Sequence, residues 1–282
     1  MIRQTTLPTT MYYREFPPHP ALVGLVQCIW LFEAAPDDAV EDTQRIVPDG
    51  HPEMLLHFGD RFHEVHGDKS IIQSRLIFAG QISKPLLLKP GACAGVVGVR
   101  FRSAGARAML GMPMVEQTDA RLDLMDVWGS VGESLLDKIH SAASNFARMA
   151  MVEQFLLRRL AGSRIAADAA IAACVAALRA SDGGISVDAL ARIGNLSSRQ
   201  LERRFLNEVG IPPRLLASIL RFRRVFDLFE QPQAGGWVET ALSAGYFDQA
   251  HMIRDFKRFA GLQPRAFYRG LGGLSAAMLG AG

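Results

Sequence analysis

Cysteine is scarce in this 282-residue chain, and the three present exclude more chemistry than they suggest. Cys28, Cys93 and Cys174 are odd in number and far apart, without the spacing of a disulfide framework, a zinc site or a redox pair. They read as reduced thiols in a cytosol. Long apolar runs are missing too: no stretch is long enough to cross a bilayer. The beginning of the chain does not read as a signal peptide, so a cytoplasmic location with no membrane partner is expected. Metal-ligand spacing is lacking as well. His51, Glu53 and His57, followed by His63 and His66, match no known site type. They read as polar residues alternating along strand and loop edges, and neither a metal nor any other cofactor is expected.

What is abundant is apolar. Hydrophobic residues make up 49% of the chain, enough for sizeable cores and against disorder, and the length suits two domains. Charge is unevenly spread. Residues 183–282 hold 13 Lys and Arg against 8 Asp and Glu, a net +5, whereas residues 1–182 hold 18 against 20, a net −2. A basic half is what phosphate binding requires.

Within the basic half one unit occurs twice. Residues 196–216 (LSSRQLERRFLNEVGIPPRLL) and 247–267 (FDQAHMIRDFKRFAGLQPRAF) align with a shift of 51. Leu201 falls on Met252, Arg203 on Arg254, Phe205 on Phe256, Gly210 on Gly261 and Pro213 on Pro264. Upstream the shift is 50, pairing Ala191 with Ala241 and Asn195 with Gly245, so the second copy has one extra residue in its turn. Two copies are too few for a solenoid. Each has the grammar of helix, tight turn, helix. Gly194-Asn195 breaks the first helix, both residues tolerating left-handed backbone. Ser197 stands three residues before Gln200, a capping-box spacing. Leu201, Phe205 and Val209 share a face; Gly210 closes the helix and Pro213 opens the next. The second copy repeats this with Gly245, Asp248 as cap, Met252, Phe256 and Ala260 inside, then Gly261 and Pro264. Two helices meeting steeply across such a turn form a helix-turn-helix unit.

The outward faces carry the chemistry. Base edges are assigned to Arg199, Glu202 and Arg203 in copy one and to Gln249, His251 and Arg254 in copy two. Arg pairs with guanine and Gln with adenine, while Ala250 and Ile253 can touch a thymine methyl. Ser197, Ser198, Lys257, Arg258, Arg265 and Arg269 are assigned to phosphates, which position without specifying sequence. Residues 213–230 should form one helix bracing the two motifs for successive major grooves, about one turn of DNA or ~34 Å apart.

Residues 171–268 resemble the double helix-turn-helix domain of the AraC/XylS family of bacterial transcription regulators. The motifs LSSRQLERRF and AGYFDQAHMIRDFKRFAGLQPRAFYR carry the resemblance over about a third of the chain, including the one-residue difference between turns. Departures are Asn195 where Gly is usual, Met252 where Phe is usual, and Ile253 at a normally polar recognition position. The resemblance implies a sequence-specific DNA-binding transcription regulator. Double-stranded DNA and a small-molecule effector are its implied partners, with RNA polymerase and a second copy of the chain beside them.

Residues 1–118 read as β-rich, with strands at 22–32, 53–58, 75–79, 85–89 and 95–101 forming an antiparallel barrel or sandwich. The phrases RIVPDGHPEMLLHFGD, GVVGVRFRSAGARAMLG and LDLMDVWG resemble the N-terminal domain that often precedes this DNA-binding module, and name no ligand. Arg45, Asp49, His51 and Arg100 lie close to strand ends and are the ligand-binding candidates, because a barrel mouth with a few polar groups is the default small-molecule site. Residues 119–164 read as an amphipathic helical hairpin, serving either as core packing or as a dimer face, and ending in a linker. Residues 165–270 form the all-α domain of two helix-turn-helix motifs joined by a linker helix, and 271–282 a loose Gly/Ala-rich tail. The expected fold class is thus α+β and multidomain. Two enzyme readings compete with the regulator. A DNA alkyl-transfer protein would need a reactive cysteine among zinc-binding thiols, and a cupin would need a tight His-x-His, which His51-Pro52-Glu53 is not. The chain is therefore read as a non-enzyme.

Overall fold

Branched and aromatic residues set the first half in strands. The computed structural model describes residues 12–34, 43–229 and 236–269; the tail at 271–282 lies outside the described residues. In chain order the first strands are β1 (Tyr12–Phe16), β2 (Val26–Glu33), β3 (Gln44–Ile46), β4 (Glu53–His57) and β5 (His63–His66). They are followed by β6 (Lys69–Ile72), β7 (Leu76–Ala79), β8 (Leu86–Lys89) and β9 (Gly95–Phe101). A single-turn helix α1 (Arg107–Leu110) comes next, then β10 (Arg121–Asp123), α2 (Leu124–Trp128), α3 (Ser130–Ser141) and α4 (Asn145–Gly162). The remaining helices are α5 (Ala169–Ala180), α6 (Val187–Ile193), α7 (Ser198–Val209) and α8 (Pro213–Phe229). After them come α9 (Trp237–Ser243), α10 (Gln249–Ala260) and α11 (Pro264–Arg269).

The strands form two open antiparallel sheets, ordered β1-β2-β9-β4-β7-β10 and β3-β8-β5-β6, so the domain is a sandwich and not a closed barrel. The larger sheet is buried on both faces, and the strand period of two sorts its side chains. Trp30, Phe32, Leu55, Ile77 and Val96 meet Phe62 and Leu88 toward the smaller sheet. Leu31, Met54, Leu56, Phe78, Val97 and Val99 pack on Trp128, Leu135, Ile139, Val152 and Leu156 of the helical layer. Every residue of β9 is therefore buried, which is why its sequence is a continuous apolar run without alternation. Gly98 sits opposite Trp30, where a Cβ would lie 2.0 Å from the indole. The hairpin thus serves as core packing along one face, while Val131 and Phe146 stay exposed on the other.

Several elements differ from expectation. Residues 20–22 form a 3-10 turn, and the strand begins only at Val26. Strand β10 lies in the stretch read as helical; its three residues are held extended by pairing with β7, a tertiary constraint that overrides local pattern. Of Gly194 and Asn195, only Asn195 takes the left-handed backbone, at φ 50°. Helix α5 starts at Ala169, where the Asp168 carboxylate accepts from the N–H groups of Ala170 and Ile171.

In the C-terminal half the expected caps are in place. Ser197 and Gln200 form a reciprocal capping box, and Gly210 and Gly261 close α7 and α10 at φ 94° and 70°. Both motifs share one core. Leu201 and Phe205 from the first, and Met252, Phe256 and Phe259 from the second, converge on Leu216, Ile219, Phe222 and Phe226 of α8. The Phe222 ring lies 5.0 Å from Phe226, 5.0 Å from Phe256 and 5.3 Å from Phe259. Helix α8 is therefore a strut buried between the two motifs.

Candidate nucleic-acid interface and interdomain cavity

Burial of one face fixes what the other presents. On α7 the buried Leu201, Phe205 and Val209 leave Arg199, Glu202 and Arg203 exposed together. On α10 Arg254 is exposed, while Gln249 and His251 are half-buried. The His251 ring meets Tyr246 edge-on at 5.1 Å, on the flank of the outward stripe. Ser198, Lys257, Arg258, Arg265 and Arg269 are exposed. Ser197 has a prior commitment: its Oγ accepts from the Gln200 N–H at 3.3 Å, leaving only the hydroxyl hydrogen for a phosphate.

The N-terminal domain grips both motifs at equivalent points, the C-terminal ends of α7 and α10. Thr118 Oγ1 donates to the Gly210 carbonyl (2.6 Å), and Arg45 Nη1 to the Ala260 carbonyl (3.0 Å). Beside the first of these, Arg107 of α1 forms an ion pair with the buried Glu208 of α7. Between the two ties, the turn at 47–51 plugs into the DNA-binding half. Gly50 is left-handed at φ 80°, and a Cβ there would lie 2.7 Å from Leu216 of α8. Its carbonyl accepts from Gln81 Nε2 (3.0 Å), Ser103 Oγ (2.6 Å) and Arg179 Nη2 of α5 (3.1 Å). Val47 and Ala104 join the apolar core of the DNA-binding half. Sequence reasoning missed Gly50, Gln81, Ser103, Arg107, Thr118 and Arg179. The Asp-Gly pair inside RIVPDGHPE is the one local signal that marked any of them.

A cavity of about 70 Å³ lies between the sheets and α8. All four ligand candidates, Arg45, Asp49, His51 and Arg100, line it, together with Trp30 and with Arg223 of α8. Their roles differ. Arg100 is 2% exposed and donates to Glu53 (2.9 Å) and Glu15 (3.1 Å). Burial works against its charge, but Glu53 and the neighbouring acids outweigh it, so this guanidinium is bound up in structure. Burial and nearby Arg179 push His51 down to about 3. Its Nδ1 is 2.7 Å from the Phe101 carbonyl, which selects the neutral Nδ1–H tautomer and leaves Nε2 as an acceptor. Burial alone would raise Asp49; Arg100, Arg223 and the His51 backbone N–H, which donates to its Oδ1 at 2.9 Å, hold it below its ordinary value, ionised. Arg45 is half-buried, and burial lowers its pKa. A larger surface groove of about 840 Å³ runs between α1, α3 and α4, with Lys138, Arg158 and Arg164 on its walls.

The histidines and cysteines have other engagements. His57 is buried with its ring 5.2 Å from Phe62, and Glu53 is tied to Arg100 and Trp30. Cys28 and Cys174 are buried and Cys93 is exposed. Among the described residues no group of three or more His, Cys, Asp or Glu could hold a metal ion, and no helix is long and apolar enough to cross a membrane.

Two family descriptions match the chain: a helix-turn-helix domain at residues 190–270 and a domain of unknown function (DUF6597) at residues 14–123. No curated protein sequence matches it. Among solved structures, ToxT from Vibrio cholerae O395 is 12% identical, with 82% of this chain and 95% of ToxT covered at a TM-score of 0.44. The P21 form of Vibrio cholerae ToxT gives 11% identity, 94% and 100% coverage and a TM-score of 0.46. The AraC-like transcriptional activator CuxR is 11% identical over 82% of this chain and 91% of its own, with a TM-score of 0.23. These structural likenesses are distant and assign no residue a role. With a helix-turn-helix domain behind a domain of unknown function, the chain resembles the AraC/XylS family of DNA-binding transcription regulators.

Proposed function

We propose that the chain reads a specific DNA sequence by placing α7 and α10 in successive major grooves, and that a small molecule in the interdomain cavity controls how firmly it does so. One observation carries the first part. Both recognition helices hang on the single buried strut α8, and both turn arginines outward from it. Two helices so braced fit grooves about one turn, ~34 Å, apart on one face of DNA. Arg199, Glu202, Arg203, Gln249, His251 and Arg254 are the base readers of this account. Ser197, Ser198, Lys257, Arg258, Arg265 and Arg269 are its phosphate contacts.

The effector half rests on where the cavity lies. It has room for roughly five water molecules, and its wall includes Arg223 on the strut and Arg45, whose guanidinium ties down the end of α10. A compact ligand held there by Arg45, Asp49 and the free Nε2 of His51 would compete with those ties. Ligand binding shifts a conformational balance only through such a difference in contacts. The alkyl-transfer and cupin readings gain no comparable support. Fluorescence anisotropy on operator variants tests the DNA reading: Arg203→Ala and Arg254→Ala should each lose ~1–3 kcal/mol of discrimination at particular base pairs. Unchanged preference in both variants rejects the groove assignment.

A further inference from the structure

The two copies differ by one residue in their turns, and hydrogen bonding identifies the extra one. The Leu196 N–H donates to the Ala191 carbonyl (2.9 Å) and the Tyr246 N–H to that of Ala241 (3.0 Å), so Tyr246 stands where Leu196 does. Both side chains turn inward: Leu196 packs on the domain core, and Tyr246 is 3% exposed. In copy one the helix cap Ser197 follows at once. In copy two Phe247 intervenes before the cap Asp248. Phe247 is 87% exposed, more than any other large apolar residue described. A turn of this kind is satisfied by a polar residue, and a ring left in water adds nothing to the fold.

Its placement suggests what it is for. On α10, Ala250, Arg254 and Lys257 lie opposite the buried Met252, Phe256 and Phe259 at 100° per residue. Phe247 lies outside the helix, one residue before its cap Asp248, so the exposed ring stands at the N-terminal end of α10, the end from which a helix-turn-helix unit contacts base edges. The outward stripe on α7 begins with Arg199, Glu202 and Arg203, all charged. The methyl of thymine is the apolar mark of the major groove, whereas the other base edges are read by hydrogen bonds.

Resting on the DNA-binding reading above, we propose that Phe247, backed by Ala250, contacts thymine methyl groups in the half-site of the second motif. That half-site then contains thymine at the position facing Phe247, while the first is read through hydrogen bonds by charged side chains. The test uses the full chain and the duplex it binds best, with thymines replaced by deoxyuridine in one half-site at a time. Deoxyuridine keeps every hydrogen-bonding group and loses only the methyl. Affinity should fall about fourfold per contacted methyl in the second half-site and stay unchanged for the first. Phe247→Ser should keep the wild-type melting temperature, bind the unmodified duplex about fourfold more weakly than wild type does, and lose about fourfold of the wild-type sensitivity to deoxyuridine. Equal wild-type affinity for both forms of the second half-site overturns the proposal, as does full deoxyuridine sensitivity in Phe247→Ser. Absence of any preferred duplex is a separate result, which removes the DNA reading itself.

Discussion

Removing Arg107 should expose how tightly the two halves are joined. Glu208 lies on the buried face of α7, 3% exposed, with its Oε1 paired to Arg107 of α1. Its Oε2 is buried without a hydrogen-bond partner among the described residues. Burial holds the Glu208 carboxyl above its ordinary value against the downward pull of Arg107; Arg107→Ala removes that pull. Breaking a fully buried pair costs about 3–5 kcal/mol, but the Arg107 side chain is 24% exposed, so solvent already screens the pair. A second ceiling comes from protonation. The abandoned carboxyl can take up a proton, which at pH 7 costs about 3.7 kcal/mol from an ordinary value near 4.3. The expected loss is therefore ~2–3 kcal/mol, or roughly 5–10 °C in melting temperature for a chain of this size. A double-mutant cycle with Glu208→Gln, followed by calorimetry, should recover part of that loss in the double variant. The pH dependence has a definite sign. The folded-state pKa of Glu208, already raised by burial, rises further without Arg107, so the added penalty is absent in acid and grows as pH rises. The deficit of Arg107→Ala should thus shrink between pH 7 and pH 5. A deficit below about 0.5 kcal/mol, the range of ordinary surface substitutions, or one that ignores pH, would refute the docking described here.

Three further outcomes follow from the same geometry. Leu201→Asp and Phe256→Asp each place a charge at a fully buried site without a partner, costing several kcal/mol; unchanged circular dichroism melts would contradict the burial pattern. Arg45→Ala removes the tie to the Ala260 carbonyl, worth ~1 kcal/mol at a half-buried site. Footprinting should show weaker protection in the second half-site only, and equal loss in both would count against the tie. His51, pushed down to about 3, favours the folded state fully above its unfolded pKa near 6.5 and loses that contribution as pH falls, by up to about 1.4 kcal/mol per unit. His57, lowered to about 4 by burial, has the same sign. Melting temperature should fall more steeply between pH 7 and pH 5 in wild type than in His51→Gln; parallel curves would show that His51 is not buried neutral.

What could be read from sequence was local, and what could not was long-range. The capping box at Ser197 and Gln200, the left-handed Gly210 and Gly261 and the i, i+4 apolar faces are signals a few residues wide, and the structure places each as expected. Short strands such as β3 and β10 carry no such signal, since their extended backbone comes from a partner strand. Arg45, Asp49, His51 and Arg100 do gather at one cavity. That Arg100 is held by Glu15 and Glu53 depends on contacts spanning 85 and 47 residues. Arg179 lies on an Ala-rich helix that gave no hint of its bond to the Gly50 carbonyl, 129 residues away. The extra turn residue was visible as a shift from 50 to 51, but only the burial of Tyr246 beside the exposed Phe247 says which residue it is.

Helices α7 and α10 are two unlike reading faces braced by one strut, and duplexes selected from a random pool by the full chain should carry the imprint of both. The enriched site should hold two dissimilar elements spaced about one helical turn apart, the second containing thymine. An unenriched pool, or a single element with no fixed companion, would contradict it.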